Sequence, residues 1–172
     1  MKISVFIAMS LDGFIAGEND ELDWLRAVES KDEDYGYKKF FSTVDAILLG
    51  RNTYEKIIKF ESWPYHEKTC YIATNRPLHP LYNEKSVSGS PDEIFQFLKQ
   101  NNHRHIYLDG GKLIHSFLEK KQIDEMTISV IPLLLGRGIP LFSKHEHIIN
   151  LSLQRAKSFP SGLTQLCYKV IK

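Results

Sequence analysis

Tyr107-Leu108-Asp109-Gly110-Gly111-Lys112-Leu113 is the stretch that decides the fold. A β-type run, His105 to Leu108, passes through two consecutive glycines into a helical pattern, Lys112 to Lys120, with no room for a loop. A strand that turns straight into a helix is the joint of sheets whose parallel strands are linked by crossover helices. Two glycines at a helix start also leave backbone amides uncovered by any side chain, a surface suited to a pyrophosphate; a plain tight turn is the other reading of the pair. The spacing is neither a Walker loop nor the three-glycine dinucleotide fingerprint.

Two further strand ends have the same character. In Leu49-Gly50-Arg51-Asn52-Thr53-Tyr54 the glycine permits close backbone approach, Arg51 offers a forked cation and Thr53 is placed to cap a helix. A capped helix with a surface arginine is the simpler alternative. In Ile72-Ala73-Thr74-Asn75-Arg76-Pro77 a strand ends in a hydroxyl, an amide and an arginine, groups that suit the 2′-phosphate of NADP. Open α/β sheets bind ligands at such ends.

Working outward, β-branched and aromatic runs place strands at Ile3 to Met9, Ala46 to Leu49, Thr69 to Ala73, Lys85 to Ser88, His105 to Leu108, Glu125 to Ile131, Ile148 to Ser158 and Thr164 to Ile171. Helices are expected over Asp34 to Thr43, Thr53 to Lys59 and Lys112 to Lys120. Another follows Ser90-Pro91-Asp92-Glu93, where a cap, a first-turn proline and a Glu at the third position coincide. The last two strands lack an intervening helix and read as an antiparallel hairpin closed through Phe159-Pro160-Ser161-Gly162. The expected class is α/β, with a mixed, mostly parallel sheet, helices on both faces and a C-terminal antiparallel hairpin.

The 172 residues suit a single domain, with 42% hydrophobic and 25% charged residues, and no repeat or linker marks a boundary. Lys plus Arg is 22 against 21 for Asp plus Glu, so the net charge of +1 provides no field to hold a nucleic acid or an anionic membrane. No apolar stretch approaches the ~18 residues of a membrane span. The N-terminal run reads as a buried strand, because Asp12 and Gly13 follow at once without a cleavage site. Cys70 and Cys167 each lie within a strand run and suggest neither a disulfide framework nor a zinc pair, so the expected compartment is a reducing cytoplasm. The pairs His103/His105 and His145/His147 have no close third ligand and read as solvated side chains, so no metal is expected.

Taken in order, Ala8-Met9-Ser10-Leu11-Asp12-Gly13-Phe14-Ile15-Ala16, Gly50-Arg51-Asn52-Thr53-Tyr54-Glu55, Thr74-Asn75-Arg76, Asp109-Gly110-Gly111 and Ile131-Pro132-Leu133-Leu134-Leu135-Gly136-Arg137-Gly138 resemble the dihydrofolate reductase-like superfamily. The similar branch is the one containing the reductase domain of riboflavin biosynthesis, and the match runs from about residue 2 to residue 171. The resemblance implies a three-layer fold and an NADPH-dependent reductase of a small heterocyclic or carbonyl substrate. It places Gly50, Arg51, Asn52, Thr53, Thr74, Asn75, Arg76, Asp109, Gly110, Gly111, Lys112 and Leu113 around the phosphates and adenosine, Ser88 by the adenine, and Ala8, Ile15 and Gly17 beside the nicotinamide.

The same resemblance implies a substrate-binding carboxylate before the Gly-Arg-x-Thr strand, and Asp34 stands sixteen residues before Gly50. Asp34 is thus the expected catalytic group, with Asp12, Trp24, Tyr37 and Phe41 as substrate neighbours; a helix cap beside core aromatics is the alternative for Asp34, Tyr37 and Phe41. Trp24 follows Asp23 where folate enzymes carry proline, which argues against folate. No H-x-E or C-x-x-C zinc set of a partner deaminase occurs. Relatives of the riboflavin type imply a homodimer, for which Ile131 to Phe142 and the C-terminal hairpin are the candidate surfaces. A catalytically silent NADP(H)-binding module is the rival function.

Overall fold

A computed structural model describes residues 1–172. The elements are β1 (Lys2–Ser10), β2 (Phe14–Ala16), a 3-10 helix (Asp23–Val28), α1 (Tyr37–Thr43), β3 (Ala46–Gly50), α2 (Arg51–Ile57), β4 (Thr69–Ala73), β5 (Lys85–Val87), α3 (Pro91–Gln100), β6 (His105–Asp109), α4 (Gly111–Glu119), β7 (Glu125–Ile131), β8 (Ile139–Pro140), β9 (Leu151–Ser158) and β10 (Thr164–Val170). One eight-stranded sheet has the order β5-β4-β3-β6-β1-β7-β10-β9, and β2 pairs with β8 in a separate small sheet. Strands β5 through β7 run parallel, while β10 is antiparallel to both β7 and β9. The expected mixed sheet and C-terminal hairpin are both present. No helix is long and apolar enough to cross a membrane.

Alternation along β3 builds the layers. Ala46 and Leu48 join a cluster with Ile94 and Leu98 of α3 and Ile114 and Phe117 of α4. Ile47 and Leu49 face the opposite way, into a cluster with Tyr54 and Ile57 of α2 and the aromatic rings of α1. Helices therefore cover both faces, and each fully buried Leu or Ile contributes roughly 1.5–3 kcal/mol. The Ser90–Glu93 capping box forms at the start of α3, as its sequence predicts.

Several boundaries differ from expectation for local reasons. Helix α1 starts at Tyr37 rather than Asp34, because Tyr35 (φ 54°) and Gly36 (φ 81°) adopt left-handed backbone. Helix α2 starts at Arg51 with Gly50 as N-cap and no side-chain cap bond, so Thr53 lies in the first turn and does not cap it. Strand β9 begins at Leu151, three residues later than the apolar pattern suggests. The short β2 and β8 had no sequence signal.

After β3 the chain moves outward through β4 and β5, then returns to place β6 on the other side of β3. The connections leaving β3 and β6 part in opposite directions, which opens a crevice at their carboxyl ends. Leu49 and Asp109 are register partners there, so the two glycine joints lie side by side.

Candidate active site

The joints meet backbone to backbone. Gly110 has φ +111°, and a Cβ there would stand 2.8 Å from Thr53 Oγ1 and 3.3 Å from the Gly50 nitrogen. No side chain caps α2 or α4, so their first-turn amides remain open to a ligand. Gly50, Arg51, Asn52, Thr53, Gly110, Gly111, Lys112 and Leu113 line a cleft of about 640 Å³, together with Phe6, Ile7, Ala8 and Ile15. Its size falls within the range of small-molecule and cofactor sites. A Cβ on Gly111 would come within 2.8 Å of Ile15 Cδ1, so the bare glycine gives that side chain its place in the wall.

A second cavity of about 470 Å³ shares Phe6, Ile7, Ala8 and Leu25 with the first. The carboxyl half of β1 is thus a wall common to both. Asp34, Tyr37, Arg26, Glu29 and Ser129 give this cavity its polar groups, among Leu25, Val28, Ile131 and Leu163. Asp34 accepts N–H bonds from Gly36 (3.0 Å) and Lys38 (2.8 Å), which hold its carboxyl below the usual range and at the same time cap α1. It is a fixed anion rather than a proton store.

The acid with a raised pKa in the cleft is Asp109, which is half-buried. Its Oδ1 accepts the Gly110 N–H at 2.7 Å, and Oδ2 lies 3.4 Å from the Tyr107 hydroxyl, which donates at 3.1 Å to the Phe6 carbonyl. Burial pushes the Asp109 carboxyl up to about 6, against the lowering effect of those two donors. Burial also raises the phenols of Tyr107 and Tyr65, and that of Tyr37 to about 12, and the Asp109 charge adds to each shift. A carboxyl able to hold a proton near neutrality, set among phenols that stay protonated, is an arrangement concentrated at functional sites.

A model of the RibD C-terminal domain matches residues 1–165. The chain belongs to the RibD C-terminal domain family. It is 39% identical over 172 residues to the Bacillus subtilis (strain 168) protein YwjB, which is uncharacterized, covering 97% of each chain. A putative riboflavin biosynthesis protein from Shewanella sp. PV-4 superposes with a TM-score of 0.94 at 33% identity, covering all of both chains. Dihydrofolate reductase from Enterococcus faecalis, solved with NADP(H) and RAB-propyl, has a TM-score of 0.71 at 15% identity, covering 99% of this chain and 97% of that one. That likeness shows the shared dihydrofolate reductase-like fold.

In this RibD-type chain the expected cofactor residues divide into two groups. Those of the glycine joints, with Ala8 and Ile15, line the cleft. Thr74, Asn75 and Arg76 lie beyond its wall after β4, and only Ala73 of that strand end reaches it. Arg76 still connects to it, because Arg51 Nε (2.6 Å) and Arg76 (3.6 Å) meet on the same Glu55 oxygen. Thr74 Oγ1 accepts the Arg76 N–H at 3.1 Å and fixes that turn. Ser88 is exposed after β5 and lines neither cavity. Gly17 closes a turn with Glu21 and lies outside both linings.

The substrate neighbours divide as well. Tyr37 lines the second cavity, whereas Phe41 stacks on Tyr37 and Tyr65 in the core. Trp24 packs in the cluster of Val28, Phe159 and Leu163, and its Nε1–H donates to the Glu21 carbonyl. Asp12 accepts from the Ser10 hydroxyl and from the N–H groups of Leu135 and Gly136, joining two turns away from either cavity. Sequence reasoning missed Leu25, Glu29, Lys56 and Tyr65 as lining residues. Leu25 comes from a 3-10 segment without periodic pattern, Glu29 from the residue that ends it, and Tyr65 from an irregular connection.

The solvated reading of the histidine pairs fails for three of the four. His103 bonds Tyr71 and approaches Asp45, His105 contacts Ser4 and the Thr43 carbonyl, and His145 contacts Glu119; His147 is exposed.

Proposed function

We propose that the chain is an NADPH-dependent reductase of a small heterocyclic or carbonyl compound. The observation that carries this reading is the shared wall: Phe6 to Ala8 stand between a glycine-lined cleft with open helix amides and a second cavity with fixed charges. The dinucleotide supplies a hydride when bound. Amides at the start of α4 and Lys112 would hold its pyrophosphate, and Ile15 and Ala8 would border its nicotinamide. Arg51 and Arg76 would take the 2′-phosphate in exchange for Glu55.

The second cavity receives the acceptor. Asp34 and Glu29 present carboxylates to N–H groups of a flat heterocycle, and Tyr37 offers an aromatic ring edge and a hydroxyl. The reduced atom also needs a proton. For this we propose Asp109, which lines the first cleft and whose carboxyl, raised to about 6, keeps a protonated fraction near neutral pH. Steady oxidation of NADPH with a panel of pteridines, deaminated pyrimidines, quinones and aldehydes tests this reading. Binding without turnover on every compound would leave a silent module instead.

The reading includes a homodimer. Strand β9 is a sheet edge, and its Leu151 and Leu153 are 39% and 53% exposed, with Ile148 and Leu134 more exposed still.

A further inference from the structure

We propose that His115, Glu119 and His145 form a site for a divalent transition-metal ion of the zinc class, separate from the cleft. His115 and Glu119 are four residues apart in α4 and project from one face, while His145 comes from the segment after β8. One ligand atom from each lies within 4.8 Å of the other two. His145 Nδ1 is 2.6 Å from Glu119 Oε1, and the two imidazole rings stand 4.7 Å apart.

A second observation points to a missing ligand. His115 Nδ1 is buried and has no hydrogen-bond partner. A buried imidazole nitrogen without a partner is costly, and a metal ion at the centre of the trio would satisfy it. Two imidazoles and one carboxylate are a donor set suited to zinc and its neighbours, not to calcium or magnesium, which take all-oxygen shells. Tetrahedral bonds of about 2.0–2.1 Å require ligand atoms about 3.3 Å apart, so the widest separation must close by at most about 1.5 Å while the 2.6 Å His145–Glu119 contact opens. His145 would carry its proton on Nε2 and give the Nδ1 lone pair to the metal, in place of its bond to Glu119. Three protein ligands leave a fourth position for water.

Residues Lys112, Leu113 and Ser116 of the same helix line the cleft. The metal would therefore fasten the segment that follows β8 onto the helix that carries the glycine joint. Its role is to hold α4 in place; it takes no part in the reduction.

The test uses the full-length chain, stripped with a chelator and titrated with Co²⁺ as a spectroscopic probe and Zn²⁺ as competitor. The expected result is the visible absorption of a tetrahedral Co²⁺ centre at one ion per chain, removed by Zn²⁺, with a rise in melting temperature. Glu119→Gln and His145→Ala, both at partly exposed positions, should weaken binding by at least about 100-fold, the upper end of what loss of a mere outer-shell partner costs. His147→Ala should leave it unchanged. Absence of the absorption in the parent chain, its persistence in both ligand variants, or equal loss in His147→Ala would overturn the proposal.

Discussion

The Tyr107 hydroxyl reaches toward Asp109 Oδ2 at 3.4 Å while donating to the Phe6 carbonyl at 3.1 Å, so the half-buried Asp109 is tied to the wall shared by the two cavities. If Asp109 is the proton donor, turnover falls as pH rises through its pKa of about 6. Asp109→Asn should flatten that limb of the pH profile and lower kcat far more than it changes NADPH affinity. An unaltered profile would remove Asp109 from the chemistry.

The same shift makes a stability prediction of unusual sign. The Asp109 pKa is raised from an ordinary 3.8 to about 6, so the folded state favours the protonated form. The associated stability is complete below about pH 4 and is lost as pH rises through 6, at a cost on the order of 3 kcal/mol by pH 8. Asp109→Asn should accordingly raise the melting temperature at pH 8, with a gain that fades toward pH 5. Denaturant midpoints at both pH values check this, and a destabilised variant at pH 8 would contradict it.

Arg51 and Arg76 sharing Glu55 predicts cofactor preference. Arg76→Ala should cost NADPH about 1.5–3 kcal/mol, roughly 10- to 150-fold, and leave NADH nearly untouched. Glu55→Gln should tighten NADPH, because the phosphate no longer competes with a carboxylate. Equal losses for both dinucleotides in Arg76→Ala would place that arginine elsewhere.

The two glycines should separate binding from folding. Gly111→Val drives its Cβ against the flexible tip of Ile15 and into the space a pyrophosphate needs, so cofactor affinity should collapse with little loss of stability. Gly110→Ala strains a backbone at φ +111° and presses on Thr53 and the Gly50 backbone, so unfolding should become easier by about 1–3 kcal/mol. Parallel melting curves and dinucleotide titrations distinguish the two.

A dimer through the β9 edge predicts elution at an apparent mass twice that of one chain, reverting to the monomer mass when Leu151 and Leu153 are both replaced by lysine. Elution of the parent chain as a monomer would contradict it.

The parallel strands, the hairpin and the glycine joints were legible because each depends on local chemistry: β-branched runs, the Ser90–Glu93 box, and glycine where backbones touch. Asp34 shows the opposite case. Its spacing from Tyr37 and Phe41 suggested one helical face, but left-handed Tyr35 and Gly36 put it outside the helix, as a cap that also lines the cavity. The resemblance places Asp109 among the cofactor residues, but its perturbed acidity arises from desolvation beside Tyr107 and Tyr65, which no local pattern encodes. Similarly, the glycine pair predicted an anion cradle, whereas the wall shared with a second cavity exists only once β1 is set beside β6 and β7.

The most direct test of the central claim is a titration of the purified chain with NADPH and with NADH, followed by nicotinamide fluorescence. Saturable NADPH binding that is clearly tighter than NADH binding, and that disappears in Gly111→Val, is the expected result. No NADPH binding up to high micromolar concentration would contradict the account.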